Sequence, residues 1–180
     1  HYLEPYNNLG NTLRELSRLD EAEKSYRKAI ELNPSNSESH NNLGALLQHQ
    51  GKIEESVRFF KKALLINPNY PEAYHNLGTS LSKVGKIDKA TENYEQALVL
   101  KPEYPEALYN LSVVQSHANT LDKEIHTLSN LLSIQSGDFH LRAGVLLGIC
   151  KFLEGNFHES KKYLLDSKKI QEKKSLELKN

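Results

Sequence analysis

Residues 38–51 read Glu-Ser-His-Asn-Asn-Leu-Gly-Ala-Leu-Leu-Gln-His-Gln-Gly, and the triplet near their start, Asn42-Leu43-Gly44, sets the period of the chain. The same triplet occurs 34 residues earlier, at Asn8-Leu9-Gly10, and 34 residues later, at Asn76-Leu77-Gly78. Asn110-Leu111-Ser112 continues the series with serine in place of glycine. A fixed period of this length is typical of repeat architectures, in which each unit packs mainly on its neighbours.

Three other positions repeat in the same register as the triplet. They hold a small residue, an aromatic ring and a proline, and each set keeps the 34-residue step. The members are Ala29, Ala63 and Ala97; Tyr26, Phe60 and Tyr94; and Pro34, Pro68 and Pro102. Several ladders in one register argue against a chance repeat, so the chain consists of equivalent structural units.

Each unit reads as two amphipathic helices, called here the A helix and the B helix. In the second unit we expect the A helix from about Glu38 to Gln50 and the B helix from about Ile53 to Ile66, because apolar residues recur there at helical spacing. Gly51 stands between them, where a left-handed backbone angle costs glycine little. One such pair cannot bury its apolar face alone, so neighbouring units must stack.

The pattern resembles the tetratricopeptide repeat (TPR), a 34-residue unit with Leu-Gly, a later Ala, then an aromatic residue, Ala and Pro. The match is strong from Leu3 to Tyr104, weaker from Pro105 to Asp138 and partial from Leu141 onward. The resemblance implies an all-α fold. We expect an α-solenoid in which about five TPR helix pairs form a right-handed superhelix with a long C-terminal capping helix.

The period also predicts where the units begin and end. We expect TPR 1 at residues 3–36, TPR 2 at 37–70, TPR 3 at 71–104, a degenerate TPR 4 at 105–138 and a degenerate TPR 5 at 141–174, with the capping helix running to about residue 178. The fifth unit lies later than the strict period predicts, which indicates a short insertion near Gly137. Its last helix is rich in lysine, and we favour a solubilising cap over a basic docking helix.

Charge and hydropathy exclude several classes of function. The chain has 180 residues, of which 23 are basic and 23 acidic, whereas a duplex-binding protein usually carries a basic excess. We therefore expect no nucleic acid partner. No apolar run approaches the roughly 18–20 residues that cross a bilayer, so we expect no membrane insertion. Neither a glycine-rich phosphate loop nor a pair of acids typical of acid–base catalysis is visible, so we expect no catalytic residue and no cofactor.

The cysteine and histidine residues do not indicate a reactive site. A single cysteine, Cys150, excludes an internal disulfide and fits a reducing, cytoplasmic location. It lies on a predicted apolar face, so we interpret it as a buried structural thiol. The eight histidines include no pair three or four residues apart on one helix, and we expect no metal site. The sequence lacks methionine, which indicates a processed protein or a piece of a longer one.

A ladder of asparagines is the strongest signal that packing does not explain. Asparagine is a mediocre helix residue because its side chain competes for backbone hydrogen bonds. It nevertheless precedes the core leucine in four units, as Asn8, Asn42, Asn76 and Asn110. The ladder resembles that of the TPR superhelix of protein O-GlcNAc transferases, and the Tyr6–Leu13 stretch is especially similar. That resemblance implies groove asparagines that hold the backbone of a bound peptide. The alternative is that the triplet is simply common in this repeat family.

We therefore predict a peptide-binding site in the concave groove. Its candidate residues are Asn8, Asn11, Asn42, Gln48, Asn76, Thr79 and Asn110. Backbone recognition gives little side-chain preference, so specificity would come from neighbours such as Arg14, His49 and Lys83. Some TPR domains use cations to clamp a C-terminal carboxylate. The equivalent positions in this chain hold no cation, which argues against such a clamp.

A second ladder is acidic and consists of Glu4, Glu38, Glu72 and Glu106. Each glutamate falls in the first turn of a predicted helix, where a negative charge complements the helix dipole. We favour this structural interpretation, and an acidic rim that attracts basic ligands stays open as the alternative.

The predicted function is that of a non-enzymatic scaffold for protein–protein interaction, which binds an extended peptide or a partner protein in its groove. Two alternatives stay open. The chain could be the substrate-recruiting arm of a larger enzyme of the glycosyltransferase, sulfotransferase or methyltransferase type. It could also be a self-assembling scaffold, in which self-association places a neighbouring copy in the groove.

Overall fold

The computed structural model describes residues 4–117, 121–134 and 137–177. These residues form ten α-helices and no strand, which confirms the all-α prediction. In chain order the helices are α1 (Glu4–Glu15), α2 (Leu19–Leu32), α3 (Ser37–His49), α4 (Ile53–Ile66), α5 (Pro71–Lys83), α6 (Ile87–Leu100), α7 (Pro105–His117), α8 (Leu121–Ser133), α9 (Gly137–Leu153) and α10 (Phe157–Glu177). The odd-numbered helices are A helices and the even-numbered ones are B helices. The handedness of a superhelix stays a prediction.

The helices divide into two compact units, His1–Leu100 and Lys101–Asn180. In the first unit, α1 to α6 form three pairs, and each helix packs against the next along the chain. α3 also contacts α1 and α5, so the three A helices lie side by side. In the second unit, α7 to α10 form two pairs, and α7 likewise contacts α9. The A helices of each unit therefore share a face.

A glycine on each A helix of the first unit makes room for an aromatic ring on the B helix of the same pair. A Cβ atom placed on Gly44 would lie 2.7 Å from a ring carbon of Phe60. The same distance would be 2.5 Å between Gly10 and Tyr26 and 2.8 Å between Gly78 and Tyr94. All three rings are buried. Nothing larger than a hydrogen atom fits between helix and ring, which explains why the glycine and the aromatic residue recur together.

Small residues and leucines fill the rest of each helix contact. The small positions on the B helices are almost inaccessible to solvent: Ala22, Ser56 and Ala90, and two turns later Ala29, Ala63 and Ala97. On α3, Leu43, Leu46 and Leu47 are completely buried. The leucine of the first triplet, Leu9, is instead exposed, because the described chain places no further helix pair on its outer side.

The second unit keeps the helix pairs while it changes the residues that pack them. Ser112 stands where the other repeats have glycine and is completely buried. Its hydroxyl donates to the backbone carbonyl of Tyr109 at 2.8 Å. Leu128 replaces the aromatic ring and is also completely buried. Glu124 occupies the small position at the start of the B helix and is 6% exposed. The departures from the repeat pattern therefore alter the core without removing a helix.

The fifth helix pair is longer than the others. α9 has 17 residues, whereas α3, α5 and α7 have 13 each. It begins at Gly137, so the residues that shift the repeat register form an additional first turn of α9. α10 has 21 residues, in agreement with the predicted long final helix, and residue 178 lies outside the described chain. Its exposed side chains include Leu164 and Leu165, so its outer face is not uniformly polar.

The turn inside a helix pair requires a left-handed backbone. Gly51 has a φ of 78° between α3 and α4, and Gly85 and Gly155 have similar values in their own pairs. The first pair adopts the same geometry with Ser17, whose φ is 59°. Asn119, which is the sequence equivalent in the fourth repeat, lies outside the described residues. A left-handed conformation costs a residue with a Cβ about 1–2 kcal/mol, so Ser17 is a strained position.

We expect Ser17→Gly to stabilise the first helix pair by about 0.5–1 kcal/mol. The change relieves the strain, and the greater backbone entropy of glycine in the unfolded chain offsets part of the gain. The denaturation midpoint of the chain and the amide exchange of α1 and α2 measure the effect. Ser35→Gly, on the exposed connection between α2 and α3, is the matched control and should stabilise nothing. Equal effects of both changes would contradict the strain at Ser17.

Candidate functional site

The ladder asparagines of the first unit lie on neighbouring A helices. Asn8 is on α1, Asn42 on α3 and Asn76 on α5. Asn8 is exposed, and the other two are half-buried. In α3 and α5 the residue after the asparagine is a leucine, Leu43 or Leu77, which is buried in the helix contact. The asparagines themselves therefore lie at the edge of the core.

Hydrogen bonds join Asn42 and Asn76 to the preceding A helix. Asn42 donates through Nδ2 to Oδ1 of Asn7 at 3.2 Å and to Oδ1 of Asn11 at 3.3 Å. One repeat later, Asn76 is bonded in the same way and donates through Nδ2 to Oδ1 of Asn41 at 3.0 Å. The carboxamides thus form a polar seam between successive A helices, and each NH2 group is held in place.

The acceptor oxygens of Asn42 and Asn76 receive no hydrogen bond from the residues that the structure describes. Neither oxygen is buried without a partner. Gln48 is also held through its NH2 group. Its Nε2 donates to the backbone carbonyl of Asn76 at 3.2 Å and to Oγ of Ser80 at 2.7 Å. The first unit therefore presents a row of oriented carboxamides whose oxygens can accept hydrogen bonds from outside.

Asn11 and Thr79 occupy equivalent positions and bind the tyrosine of their own helix pair. The Tyr26 hydroxyl donates to Oδ1 of Asn11 at 2.7 Å. The Tyr94 hydroxyl donates to Oγ1 of Thr79 at 3.3 Å, and Thr79 donates to the His75 carbonyl at 3.0 Å. These two predicted site residues therefore anchor the core tyrosines as well as lying on the A-helix face.

The last predicted residue, Asn110, belongs to the second unit. It lies on α7 and is half-buried. It belongs to the A-helix face that α7 and α9 form within that unit.

A groove of about 590 Å³ continues the row of carboxamides toward the C-terminal ends of the A helices. Its lining residues are Arg14, Ser17, Leu19, Ala45, Gln48, His49 and Lys83. The stripe of α3 that holds Asn42 also holds Ala45 and His49, three and seven residues later, and helix geometry places such residues on one face. By the same spacing, Asn76, Thr79 and Lys83 share a face of α5. The seam and the groove are therefore parts of one surface.

Asn7 and Asn41 are structural residues of this surface that the sequence analysis did not single out. Both are buried, at 4% and 6% exposure. Asn7 donates through Nδ2 to Oε1 of Glu38 at 2.8 Å and accepts from Oγ of Ser39 at 3.4 Å. The signal was present in the sequence, because the two asparagines are one repeat apart and precede the ladder residues directly.

The acidic ladder has a role within the protein at one position that the structure describes. Glu38 accepts the hydrogen bond from Asn7 and lies in the first turn of α3, where the helix dipole favours its charge. Glu72 and Glu106 occupy the first turns of α5 and α7. The side chain of Glu4 lies outside the part of the chain that the structure describes. The ladder is thus accounted for by helix geometry where it can be followed.

The histidines do not assemble into a metal site in the described residues, where no group of three or more His, Cys, Asp or Glu side chains could hold an ion. Two of them instead bind backbone carbonyls. Nε2 of His40 lies 2.9 Å from the Pro34 carbonyl oxygen, and Nδ1 of His140 lies 2.9 Å from that of Leu132. These contacts tie an A helix to the end of the B helix before it.

Cys150 lies in the core of the fifth helix pair and is 3% exposed. Burial, together with the neighbouring Glu124 side chain, raises the pKa of the Cys150 thiol from 9.0 to about 11. Because the thiolate is the nucleophile, this environment suppresses reactivity. In the helices that the structure describes, no stretch combines the length and the apolar character needed to span a bilayer.

Within each compact unit, stacked helix pairs share an A-helix face, which is the arrangement of an α-solenoid of helical-hairpin repeats. Family models described as TPR repeat and tetratricopeptide repeat match residues 10–51, 35–103 and 75–138. The chain belongs to the tetratricopeptide-repeat family. Repeats of this family typically act as non-catalytic interaction modules, so the general class of function is that of a protein-interaction scaffold. No curated protein matches the chain by sequence.

Solved structures of TPR proteins share the fold over nearly the whole chain. MamA superposes with a TM-score of 0.83 at 26% identity, over 92% of this chain and 96% of MamA. YrrB, described as a TPR protein with an unusual peptide-binding site, gives 0.76 at 23% identity, over 94% and 86%. PilF of Pseudomonas aeruginosa gives 0.79 at 18% identity, over 89% and 72%. The likeness to YrrB and PilF concerns the fold alone.

We expect Asn7→Ala and Asn8→Ala to differ sharply although the residues are adjacent. Asn7→Ala removes a buried side chain that bridges α1 and α3, and it should lower the free energy of unfolding by about 1–2 kcal/mol. Asn8→Ala changes an exposed residue and should stay within about 0.5 kcal/mol. Urea denaturation of both variants tests this. A destabilising Asn8→Ala paired with a neutral Asn7→Ala would contradict the polar seam described here.

We expect Cys150 to react slowly with thiol reagents in the folded chain. A rise in pKa from 9.0 to about 11 lowers the thiolate fraction at pH 8 about hundredfold. Alkylation should therefore be at least that much slower than in the urea-unfolded chain, and it should accelerate as the pH rises toward 11. Equal rates in the folded and unfolded chains would contradict the buried thiol.

Proposed function

We propose that the A-helix face of the first unit, formed by α1, α3 and α5, binds an extended peptide through its backbone. The observation that carries the proposal is the row of carboxamide oxygens on Asn42, Gln48 and Asn76. Each of these side chains is held through its NH2 group, so its oxygen is oriented before a ligand arrives. Preorganised groups lose little conformational entropy on binding, which favours affinity.

Hydrogen-bond chemistry favours backbone recognition. A carboxamide oxygen has lone pairs that accept from N–H donors, and every non-proline residue of a peptide supplies one such donor. The ladder asparagines recur with the repeat, so the acceptors follow a line across the three A helices. An extended chain can pair with such a line at several points, whatever its side chains are. We propose that Asn8 extends the line of acceptors on α1. Asn11, whose Oδ1 already accepts from Tyr26 and Asn42, would add its NH2 group as a donor to a peptide carbonyl, and Thr79 would line the same surface on α5.

The fold relatives support this proposal. TPR proteins act as interaction scaffolds as a class, and YrrB, which has the same fold, is described as having a peptide-binding site. We propose that Asn110 plays the equivalent part in the second unit, on α7.

The double substitution Asn42→Ala/Asn76→Ala tests the proposed site. Each hydrogen bond contributes about 0.5–1.5 kcal/mol, so one substitution should weaken binding several-fold and the pair roughly ten- to hundredfold. The ligand is a peptide that the wild-type chain selects from a random library, with both termini blocked, and titration calorimetry measures its affinity. Asn93→Ala on the B helix α6 is the matched control, because its exposed carboxamide donates only to the Lys89 carbonyl of its own helix.

A second measurement separates backbone recognition from side-chain recognition. The same peptide, N-methylated at alternate residues, loses the donors that the carboxamide oxygens require while it keeps its side chains. One of the two methylation registers should lose at least tenfold in affinity for the wild-type chain. Because Asn42 and Asn76 also take part in the seam, the melting temperature of the double variant must be measured alongside. If the folded double variant retains full affinity, the peptide does not bind at this face.

A further inference from the structure

The groove beside the carboxamide row has an uneven charge. Two of its lining residues, Arg14 and Lys83, are cations, and a third, His49, can donate a hydrogen bond from its ring. No acidic side chain is among the lining residues. Glu15 adjoins Arg14 in the sequence but lies outside the lining. This local excess of positive charge is hidden in the composition, where the formal net charge of the chain is zero.

The two cations are available to a ligand. Arg14 and Lys83 are exposed and form no ion pair within the described chain. Several other cations of the first unit are instead occupied: Arg18 pairs with Glu21, Arg27 with Glu23 and Glu55, Lys28 with Glu31 and Lys52 with Glu23.

We infer that the segment bound in this groove carries an acidic side chain, which Arg14, His49 and Lys83 bind. The inference rests on the peptide-binding function proposed above and adds the chemical class of the ligand. A groove of about 590 Å³ has room for such a side chain. Lys83 lies on the same stripe of α5 as Asn76, and Arg14 lies three residues after Asn11 on α1. A peptide whose backbone follows that row therefore passes its side chains over the groove.

The positions of these residues also have a simpler explanation. Arg14, His49 and Lys83 all lie in the last turn of an A helix, where a cation complements the helix dipole. That role predicts a loss of stability on substitution and no effect on the choice of ligand. The acidic ladder at the opposite ends of the A helices predicts the reverse preference, for a basic peptide. A binding experiment separates the three explanations.

The probes are three synthetic peptides of about ten residues, roughly 33 Å long when extended. They alternate serine with glutamate, with glutamine or with lysine, they carry a fluorophore, and both termini are blocked. Blocking removes the terminal carboxylate, so only the acidic side chains can bring negative charge. Fluorescence anisotropy at about 50 mM salt measures the three affinities, and a repeat at about 500 mM salt shows how far screening weakens them.

The variant Arg14→Gln/Lys83→Gln removes both cations from the groove. Arg58→Gln/Lys61→Gln is the matched control, because it removes the same charge from exposed positions of α4 that are not among the lining residues of this groove. We expect the glutamate peptide to bind the wild-type chain at least threefold more tightly than the glutamine peptide at low salt. The groove variant should lose about three- to tenfold for the glutamate peptide alone, and the control variant less than twofold.

Each other outcome overturns a specific statement. Equal affinities for the glutamate and glutamine peptides would refute the acidic ligand and leave the backbone site intact. Preference for the lysine peptide would favour the acidic ladder as the selective element. Equal losses of affinity in the groove and control variants would show that binding depends only on the net charge of the chain and not on Arg14 and Lys83. If none of the three peptides binds, both the proposed function and this inference fail. Melting temperatures of both variants check that the fold is retained.

Discussion

The contact between a glycine on the A helix and a buried aromatic ring on the B helix determines how closely the two helices of each pair in the first unit approach. Gly44 and Phe60 form this contact in the middle pair, where a Cβ atom at Gly44 would lie 2.7 Å from a ring carbon. The ring is completely buried and has nowhere to move. Once this contact has set the geometry of one pair, the same residues 34 positions along the chain set the next pair in the same way. The regular spacing of the A helices follows from that repetition.

The spacing of the A helices in turn decides what the asparagine ladder does. Neighbouring A helices are close enough for Asn42 to reach Asn7 and for Asn76 to reach Asn41. The ladder therefore stabilises the stacking and presents acceptors on one surface at the same time. A carboxamide can serve both purposes because its donor and acceptor atoms are separate. This explains why a residue with modest helix propensity is kept at the same position of several repeats.

The second unit shows which parts of the repeat are necessary for the helix pair and which are necessary for the surface. Ser112 and Leu128 replace glycine and the aromatic ring, and both are completely buried, so a core can form without the original contact. Glu124 lies inside this core and contributes to the raised pKa of Cys150. On the first unit, where the repeat pattern is most regular, the oriented carboxamides of Asn42 and Asn76 accompany the regular stacking of the A helices.

Local pattern was enough to predict the repeat, the helix pairs and the all-α fold. The helices of the second repeat were predicted from about residue 38 to 50 and from 53 to 66, and in the structure they are Ser37–His49 and Ile53–Ile66. The agreement is close because apolar periodicity and turn glycines act within a few residues. The sequence also pointed to the ladder and to Arg14, His49 and Lys83 as its neighbours. It did not show that Asn7 and Asn41 are buried, or that the NH2 groups of Asn42 and Asn76 are already bonded while their oxygens remain accessible. It likewise did not show that two cations 69 residues apart line one groove. Those facts depend on the distance and rotation between stacked helices, which many side-chain contacts set together and which only the tertiary structure decides.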